Sequence, residues 1–181
     1  MARQHWVFGY GSLMWHPDFP YIERRPALLQ GWHRAHALRS TVAWGSTGQP
    51  GLILTLVPGG SCLGMAFRVA PGHWWQTRAY LRQREAAYRH IRVPVETARG
   101  KISTLTFAAN PGHSRFIGRQ PLNTGAQMIA QGEGRKGTSR GYLAGTMAAV
   151  RAMGGRPEPA LQQLRAAVNK VLRLAGEQPI P

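Results

Sequence analysis

Residues 6–15 of the chain read WVFGYGSLMW, in which an apolar run is followed by a turn with two glycines. The apolar run that begins at Trp6 stops at Gly9, which predicts a short buried strand over residues 6–10. Two glycines around Tyr10 allow a tight turn and bring backbone N–H groups close to a ligand. Such a group of amides binds carboxylates and developing oxyanions. Alone the pattern is weak, because strand–glycine–loop segments are common and mostly structural.

The segments that follow predict further β-structure. Residues 16–26 hold three prolines and predict a loop. The apolar, β-branched run 52–57 and the run 63–69 predict a hairpin, with turn residues at 58–61 between them. A second hairpin is predicted over residues 91–107 from the alternation of apolar and polar residues.

The helices lie mainly in the last third. Residues 74–88 predict one helix, a second is expected from a Ser139 cap to Gly154, and a third from Pro159 to Gly176. Strands come first and no βαβ rhythm appears. We therefore expect an α+β fold with a small curved or barrel-like mixed sheet and flanking helices.

The composition limits the kind of protein. A chain of 181 residues with 43% hydrophobic residues and six tryptophans can bury a core without disulfides, and we expect residues 1–181 to form a single domain. Cys62 is the only cysteine, so no internal disulfide can form, which favours a reducing compartment. The N-terminal segment lacks a signal-peptide pattern, and no run approaches the roughly 20 apolar residues of a membrane-spanning helix. We expect a cytoplasmic protein with no membrane partner.

The net charge of +16, from 23 basic and 7 acidic residues, is typical of nucleic-acid-binding proteins. Three features weigh against that function. All but three of the basic residues are arginines, which a bias in coding composition also explains. The arginines are spread along the chain, with Arg24-Arg25 the longest run, and no zinc-finger or RNA-binding signature accompanies them. We expect no nucleic-acid partner, and a positive field that attracts a small anionic substrate.

Few carboxylates are available for acid–base chemistry, and Glu85 is the one of interest. It lies in the segment YLRQREAAY (residues 80–88), on the predicted helix. Its ordinary interpretation is a surface glutamate paired with Arg82 or Arg89 at helical spacing. The alternative is a general base, which requires burial that outweighs the neighbouring arginines. From these residues alone both interpretations stay open.

No residue has the surroundings of an activated nucleophile or of a metal ligand. Ser12 is followed by Leu13-Met14, not by the glycine of a nucleophile elbow. Cys62 shows no nearby base and is interpreted as a structural thiol. With so few acids and no histidine–cysteine cluster, the residues give no indication of a metal site.

Taken together, these segments resemble the ChaC family of γ-glutamylcyclotransferases, which act on glutathione. The resemblance covers nearly the whole chain, and although each piece is modest, the ordered set is specific. It runs through residues 6–15, Arg34, Ser40, residues 45–47, 50–52, 60–69 (GSCLGMAFRV), 80–85 (YLRQRE) and 137–143 (GTSRGYL).

The resemblance implies a substrate site. The backbone amides of Gly11, Ser12 and Leu13, with Tyr10 beside them, would bind the γ-glutamyl end of the substrate. Tyr142 stands where the family carries a substrate-site tyrosine before a leucine. The partner expected is thus a small γ-glutamyl molecule, and the chain would be a monomer or a weak homodimer.

The resemblance also implies a reaction. Glu85 matches the glutamate of the family's Tyr-Leu-x-x-Arg-Glu pattern and would be the acid/base of a lyase-type intramolecular cyclisation. It would take a proton from the substrate's α-amino group, which then attacks the γ-carbonyl and releases 5-oxoproline and, from glutathione, Cys-Gly. Because the nucleophile belongs to the substrate, the resemblance implies that neither a metal nor a cofactor is needed. Trp44, Arg39 and the short Ala86-Ala87 segment depart from the family's usual residues near the expected substrate. A cyclotransferase for another γ-glutamyl amide or dipeptide is therefore the first alternative, and a basic nucleic-acid-binding module is the second.

Overall fold

A computed structural model describes residues 4–181, and these divide into two compact units. The first unit comprises the chain up to Arg34 together with Thr55–His113, and the second comprises Ala35–Leu54 with Ser114–Pro181. A single domain over residues 1–181 stays a prediction. The elements, in chain order, are β1 (His5–Gly9), β2 (Glu23–Ser40), β3 (Gly51–Val69), α1 (Trp74–Arg84), β4 (Arg89–Thr97), β5 (Gly100–Ala108), α2 (Leu122–Gln131), β6 (Glu133–Gly134), β7 (Gly137–Thr138), α3 (Ser139–Ala152) and α4 (Pro159–Leu174).

Strands β1 to β5 form a closed barrel in the order β1-β3-β2-β4-β5. β1 pairs antiparallel with β3 along its whole length, and β4 pairs with β5 in unbroken register. Val7 meets Leu105 in a parallel pairing between β1 and β5. Large apolar side chains such as Phe8 and Phe67 are fully buried. The α+β class with a barrel-like sheet is thereby confirmed.

The hairpin predicted for residues 52–69 is wrong, because these residues form one continuous strand, β3. Gly59 and Gly60 have φ values of +99° and +68°, which glycine adopts without strain. They bend exposed backbone without reversing it. β3 has β1 on one side and β2 on the other. This pairing outweighs the local turn preference of residues 58–61.

Strand β2 was not predicted, and it begins inside the loop that was predicted for residues 16–26. Residues 23–26 belong to the strand, so the expected loop over residues 16–26 is wrong at its end. Ala27 and Leu29 are buried in alternation, but Gly31 has a φ of +78° and the alternation does not continue past it. Because the period-two pattern is interrupted, no single run of residues marks this long strand.

The second hairpin is confirmed, whereas the first helix is shorter than predicted. β4 and β5 are joined at Thr97 and Gly100, where Gly100 has a φ of +101°. α1 ends at Arg84, so the predicted extension to Tyr88 is wrong. The chain has to reverse before it enters β4, and the bond from the Tyr88 amide to the Glu85 carbonyl (3.1 Å) closes that turn.

The second unit contains three helices that pack against one another, α2 with α3 and α4, and α3 with α4. α4 starts with Pro159 and buries Leu161, Leu164, Val168 and Leu172 along one face, as predicted. Each such side chain contributes roughly 1.5–3 kcal/mol of burial free energy.

The other two helices differ from expectation. α3 is confirmed, but Thr138 is its N-cap: its hydroxyl accepts from the Gly141 amide (3.0 Å), while the predicted cap Ser139 is the first helical residue. α2 was missed, because a ten-residue segment with a central glycine and no side-chain cap gives little local signal. Within residues 4–181 the structure contains no helix with the length and apolar character needed to cross a bilayer.

Candidate active site in the first unit

The loop after β1 is held in a defined shape. The buried Tyr10 donates its hydroxyl to the Phe107 carbonyl (2.5 Å). Residues Ser12–Met14 form a 3-10 turn, in which the Met14 amide bonds the Gly11 carbonyl (2.9 Å). The first N–H groups of a helical turn lack partners within the turn. The predicted amide group of Gly11, Ser12 and Leu13 thus lies at the start of such a turn.

Gly9 is required for this loop by close packing. A Cβ added at Gly9 would lie 2.7 Å from the Cβ of Leu13, which is itself buried. Since real Cβ atoms do not approach so closely, a larger residue would displace Leu13. The glycine pattern that the sequence showed therefore has a steric reason in the structure.

Glu85 lies just past α1 and is its C-cap, not a residue within the helix. Its amide bonds the Leu81 carbonyl (2.9 Å), and its carbonyl lies 3.1 Å from Nε2 of His90. Only 12% of its side chain is exposed. Because α1 ends before Glu85, helical spacing to Arg89 does not apply, and Glu85 forms an ion pair with the adjacent Arg84 (Nε to Oε1, 3.1 Å).

Arg84 is the residue that sequence reasoning missed. Its side chain is 10% exposed and contacts several polar groups. Nη2 donates to Ser12 Oγ (3.3 Å), and Nε pairs with Glu85. Nη1 donates to the Pro17 carbonyl (3.0 Å) and to Asp18 Oδ2 (2.9 Å).

One guanidinium thus joins the predicted amide loop, the loop that follows it and the predicted acid/base. We call this group, Ser12, Pro17, Asp18, Tyr80, Arg84 and Glu85, the Arg84 cluster. Tyr80 completes it, because its hydroxyl accepts from Arg84 Nη1 (3.1 Å). Asp18 has a φ of +55°, a conformation that Asp tolerates better than most residues. The signal in the sequence was the arginine before Glu85, but only the fold shows what it contacts.

The remaining predicted site residue, Tyr142, belongs to α3 of the second unit. It is 3% exposed and packs edge to face against Trp44, with ring centroids 5.3 Å apart. Trp44 is also buried, and its amide donates to Ser40 Oγ (3.0 Å). The Leu52 amide donates to Ser139 Oγ (3.1 Å) in the same unit.

The glycines around this aromatic pair leave no space for side chains. A Cβ at Gly51 would collide with the Trp44 carbonyl oxygen, and one at Gly132 would lie 2.5 Å from Gly51 Cα. A Cβ at Gly134 would lie 2.6 Å from the Gly45 amide nitrogen. We call this group the Gly51 cluster: Trp44, Gly45, Gly51, Gly132, Gly134, Ser139 and Tyr142. It assembles three of the sequence segments noted above, which are far apart along the chain.

Cys62 lies in a buried contact with Arg34 in the first unit. Cys62 is fully buried, and the buried Arg34 donates to its sulfur from Nε (3.3 Å) and Nη2 (3.0 Å). Arg34 also donates to the Leu63 carbonyl. Between residues 4 and 181, no three His, Cys, Asp or Glu side chains are grouped in a way that could hold a metal ion.

The sequence profile of the family described as ChaC-like protein matches residues 5–171. The chain belongs to the ChaC-like family. This ChaC-like chain is 34% identical to a protein of Escherichia coli (strain K12) named glutathione-specific gamma-glutamylcyclotransferase, over 76% of this chain and 62% of the relative. A protein of the same name from Schizosaccharomyces pombe (strain 972) is 32% identical over 76% of this chain and 78% of the relative.

The solved structures agree on the fold. A crystal structure of a γ-glutamyl cyclotransferase specific to glutathione from yeast matches with a TM-score of 0.86, at 24% sequence identity, over 92% of this chain and 96% of the yeast chain. The ChaC-like chain therefore spans nearly the full length of the yeast structure, but less than two thirds of the length of the E. coli relative.

Proposed function

We propose that this ChaC-like protein is a γ-glutamylcyclotransferase that acts on glutathione. Membership of the family and the names of the E. coli and S. pombe relatives support the activity and the substrate. The site residues below, the products and a cytoplasmic location are parts of the same proposal.

The observation that carries the proposed mechanism is the double contact of Arg84. Its guanidinium bonds Ser12 of the predicted amide loop and pairs with the predicted acid/base Glu85. One largely buried guanidinium therefore holds both groups. Because its N–H donors lie in one plane and have fixed directions, it sets the orientation of the two groups as well as their distance from it. A substrate bound by the loop amides would have its reacting end near the Glu85 carboxylate.

The reaction that fits these residues needs no nucleophile from the protein. Glu85 takes a proton from the α-amino group of the γ-glutamyl end, and the freed amine attacks the γ-carbonyl carbon. The amides of Gly11, Ser12 and Leu13 hold the γ-glutamyl end in place. When the C–N bond to cysteine breaks, Glu85 returns the proton to the departing amine. The products are 5-oxoproline and Cys-Gly.

Holding the amine and the carbonyl in attack geometry supplies much of the rate, because the reaction is intramolecular. The bond from the Tyr10 hydroxyl to the Phe107 carbonyl contributes by fixing the loop. A substrate-binding role for Tyr142 of the second unit stays a prediction from the resemblance.

The test is to offer the purified chain glutathione, γ-glutamyl dipeptides and γ-glutamyl amines separately, and to measure 5-oxoproline from each. We expect glutathione to give 5-oxoproline and Cys-Gly in equal amounts, at the highest kcat/KM of the three classes. Formation of 5-oxoproline from the other compounds but not from glutathione would assign a different γ-glutamyl substrate. No 5-oxoproline from any of them would refute the proposed activity.

A further inference from the structure

The first unit contains a cavity whose lining is rich in positive charge. A cavity of about 460 Å³ is lined by residues of α1, the turn that follows it, β4 and β5. Its polar lining includes Arg78 and Arg82 from α1, and His90 and Arg92 from β4. Trp74 and Leu105 are among its apolar residues. The volume lies in the range of small-molecule sites, roughly 300–1,000 Å³.

The cations of this cavity have no counter-charge. No acidic residue lines it, and Arg78, Arg82 and Arg92 form no ion pair within residues 4–181. Arg78 and Arg82 are one helical turn apart, where like charges are destabilising. Arg78 does lie over the ring of Trp75, 5.8 Å from its centroid.

Other arginines of the first unit are arranged differently. Arg25, Arg68 and Arg84 each pair with a carboxylate. Arg78, Arg82 and Arg92, in contrast, line the cavity without a carboxylate partner, and a bound anion would offset their repulsion.

We propose that this cavity binds a small organic anion that carries a phosphate group. Planar guanidinium forks match phosphate oxygens, and a phosphate supplies close to two negative charges for three arginines. The apolar residues beside the cations would contact the organic part of the ligand. A nucleoside monophosphate has this combination of an apolar ring and one phosphate.

The cavity is distinct from the candidate active site. Of the described residues that line it, none belongs to the loop at residues 10–13, and the Glu85 carboxylate is not part of it. The two are neighbours, because Nε2 of His90 lies 3.1 Å from the Glu85 carbonyl oxygen.

The test uses isothermal titration calorimetry on the whole chain, with AMP, inorganic pyrophosphate and uncharged adenosine as probes. We expect AMP and pyrophosphate to bind saturably with one site, and adenosine not to bind. The double variant Arg78→Gln/Arg92→Gln should weaken AMP binding by about tenfold or more, since it removes two charge-assisted contacts. The single variant Arg82→Gln provides an independent check with the same expected direction.

A matched control removes the same charge elsewhere. Arg119 and Arg151 are exposed residues of the second unit, and Arg119→Gln/Arg151→Gln should leave the AMP affinity within about twofold because the charges lie outside the cavity. If the two double variants weakened AMP binding equally, the effect would come from net charge alone, and the proposal would be overturned. The absence of saturable binding by either phosphate probe would also overturn it.

A competition experiment separates this proposal from the proposed activity. Saturating glutathione should leave AMP binding unchanged, and displacement of AMP by glutathione would assign the cavity to the substrate site and overturn a separate one. Cyclotransferase activity is measured on the same samples, so that loss of one function is distinguished from loss of the other.

Discussion

The Arg84 cluster and the Gly51 cluster both contain residues from the segments that resemble the family, yet their surroundings differ. In the Arg84 cluster a guanidinium makes polar contacts with the side chains of Ser12, Asp18 and Glu85 and with the Pro17 carbonyl, and Asp18 remains partly exposed. In the Gly51 cluster the aromatic side chains are buried and the glycines leave no room for a Cβ. Residues of such motifs can thus make polar contacts at a candidate site in one place and be required for close packing in another.

The largest expected effect tests the chemical side of this comparison. Glu85→Gln should retain the fold and glutathione binding but lower 5-oxoproline formation by about 10²–10⁴-fold, because the amide cannot accept the α-amino proton. The measurement is kcat with glutathione, with binding followed by calorimetry. Glu133→Gln, an exposed glutamate of the second unit, is the control and should be fully active. Undiminished turnover in Glu85→Gln would remove Glu85 from the mechanism.

The second prediction, with the next largest effect, tests the close packing of the Gly51 cluster. Gly51→Ala should destabilise the protein by at least about 3 kcal/mol, because the new methyl group meets the Trp44 carbonyl, which is backbone and cannot rotate away. Chemical denaturation gives the free energy of unfolding. Gly48→Ala is the matched control, since a Cβ there meets no atom within 4 Å and should change stability by less than about 0.5 kcal/mol. Similar stability of the two variants would contradict the steric interpretation.

The third prediction, with a smaller effect, tests whether the polar contacts of Arg84 position Glu85 or only stabilise the loop. Arg84→Gln should lower kcat about 10–100-fold, because the Ser12 loop and the Glu85 carboxylate lose their common partner. Arg84→Lys keeps the charge but not the fork and should recover activity only in part.

The exposed Arg89, one of the partners expected from helical spacing, provides the control as Arg89→Gln and should be close to wild type. Melting temperatures and pH–rate profiles are recorded for all three variants. A lowered melting temperature with kcat and pH profile unchanged would limit Arg84 to a structural role.

The smallest effect concerns an ion network at the surface of the first unit. The hydrogen bond from Arg25 holds the pKa of Glu23 below its ordinary value, and Arg68 adds to the shift. Because the folded-state pKa is depressed, this carboxylate stabilises the fold at pH values above its unfolded pKa, and the contribution is lost as pH falls through the folded pKa. The stability difference between wild type and Glu23→Gln should therefore shrink from pH 7 to pH 3. A difference that is constant with pH would show that the charge of Glu23 is unimportant.

The sequence by itself determined the parts whose signals are local. The β4–β5 hairpin, α3 and α4 follow from alternation, helical spacing and glycine or proline at the ends, and these interactions operate within a few residues. The ordered motifs were also sufficient to identify the family. Glu85 and the loop at residues 10–13 were named as candidates, and their roles stay predictions.

Only the tertiary structure decided the features that depend on residues far apart in the chain. Residues 51–69 form one strand because neighbours on both sides supply pairing that the local turn preference cannot match. Likewise, Arg84 contacts a loop about 70 positions earlier in the sequence, so its partners could not be read from helical spacing. In both cases the stabilising free energy comes from strand pairing and side-chain burial between segments that are distant in the sequence. A local pattern of residues contains no information about such contacts.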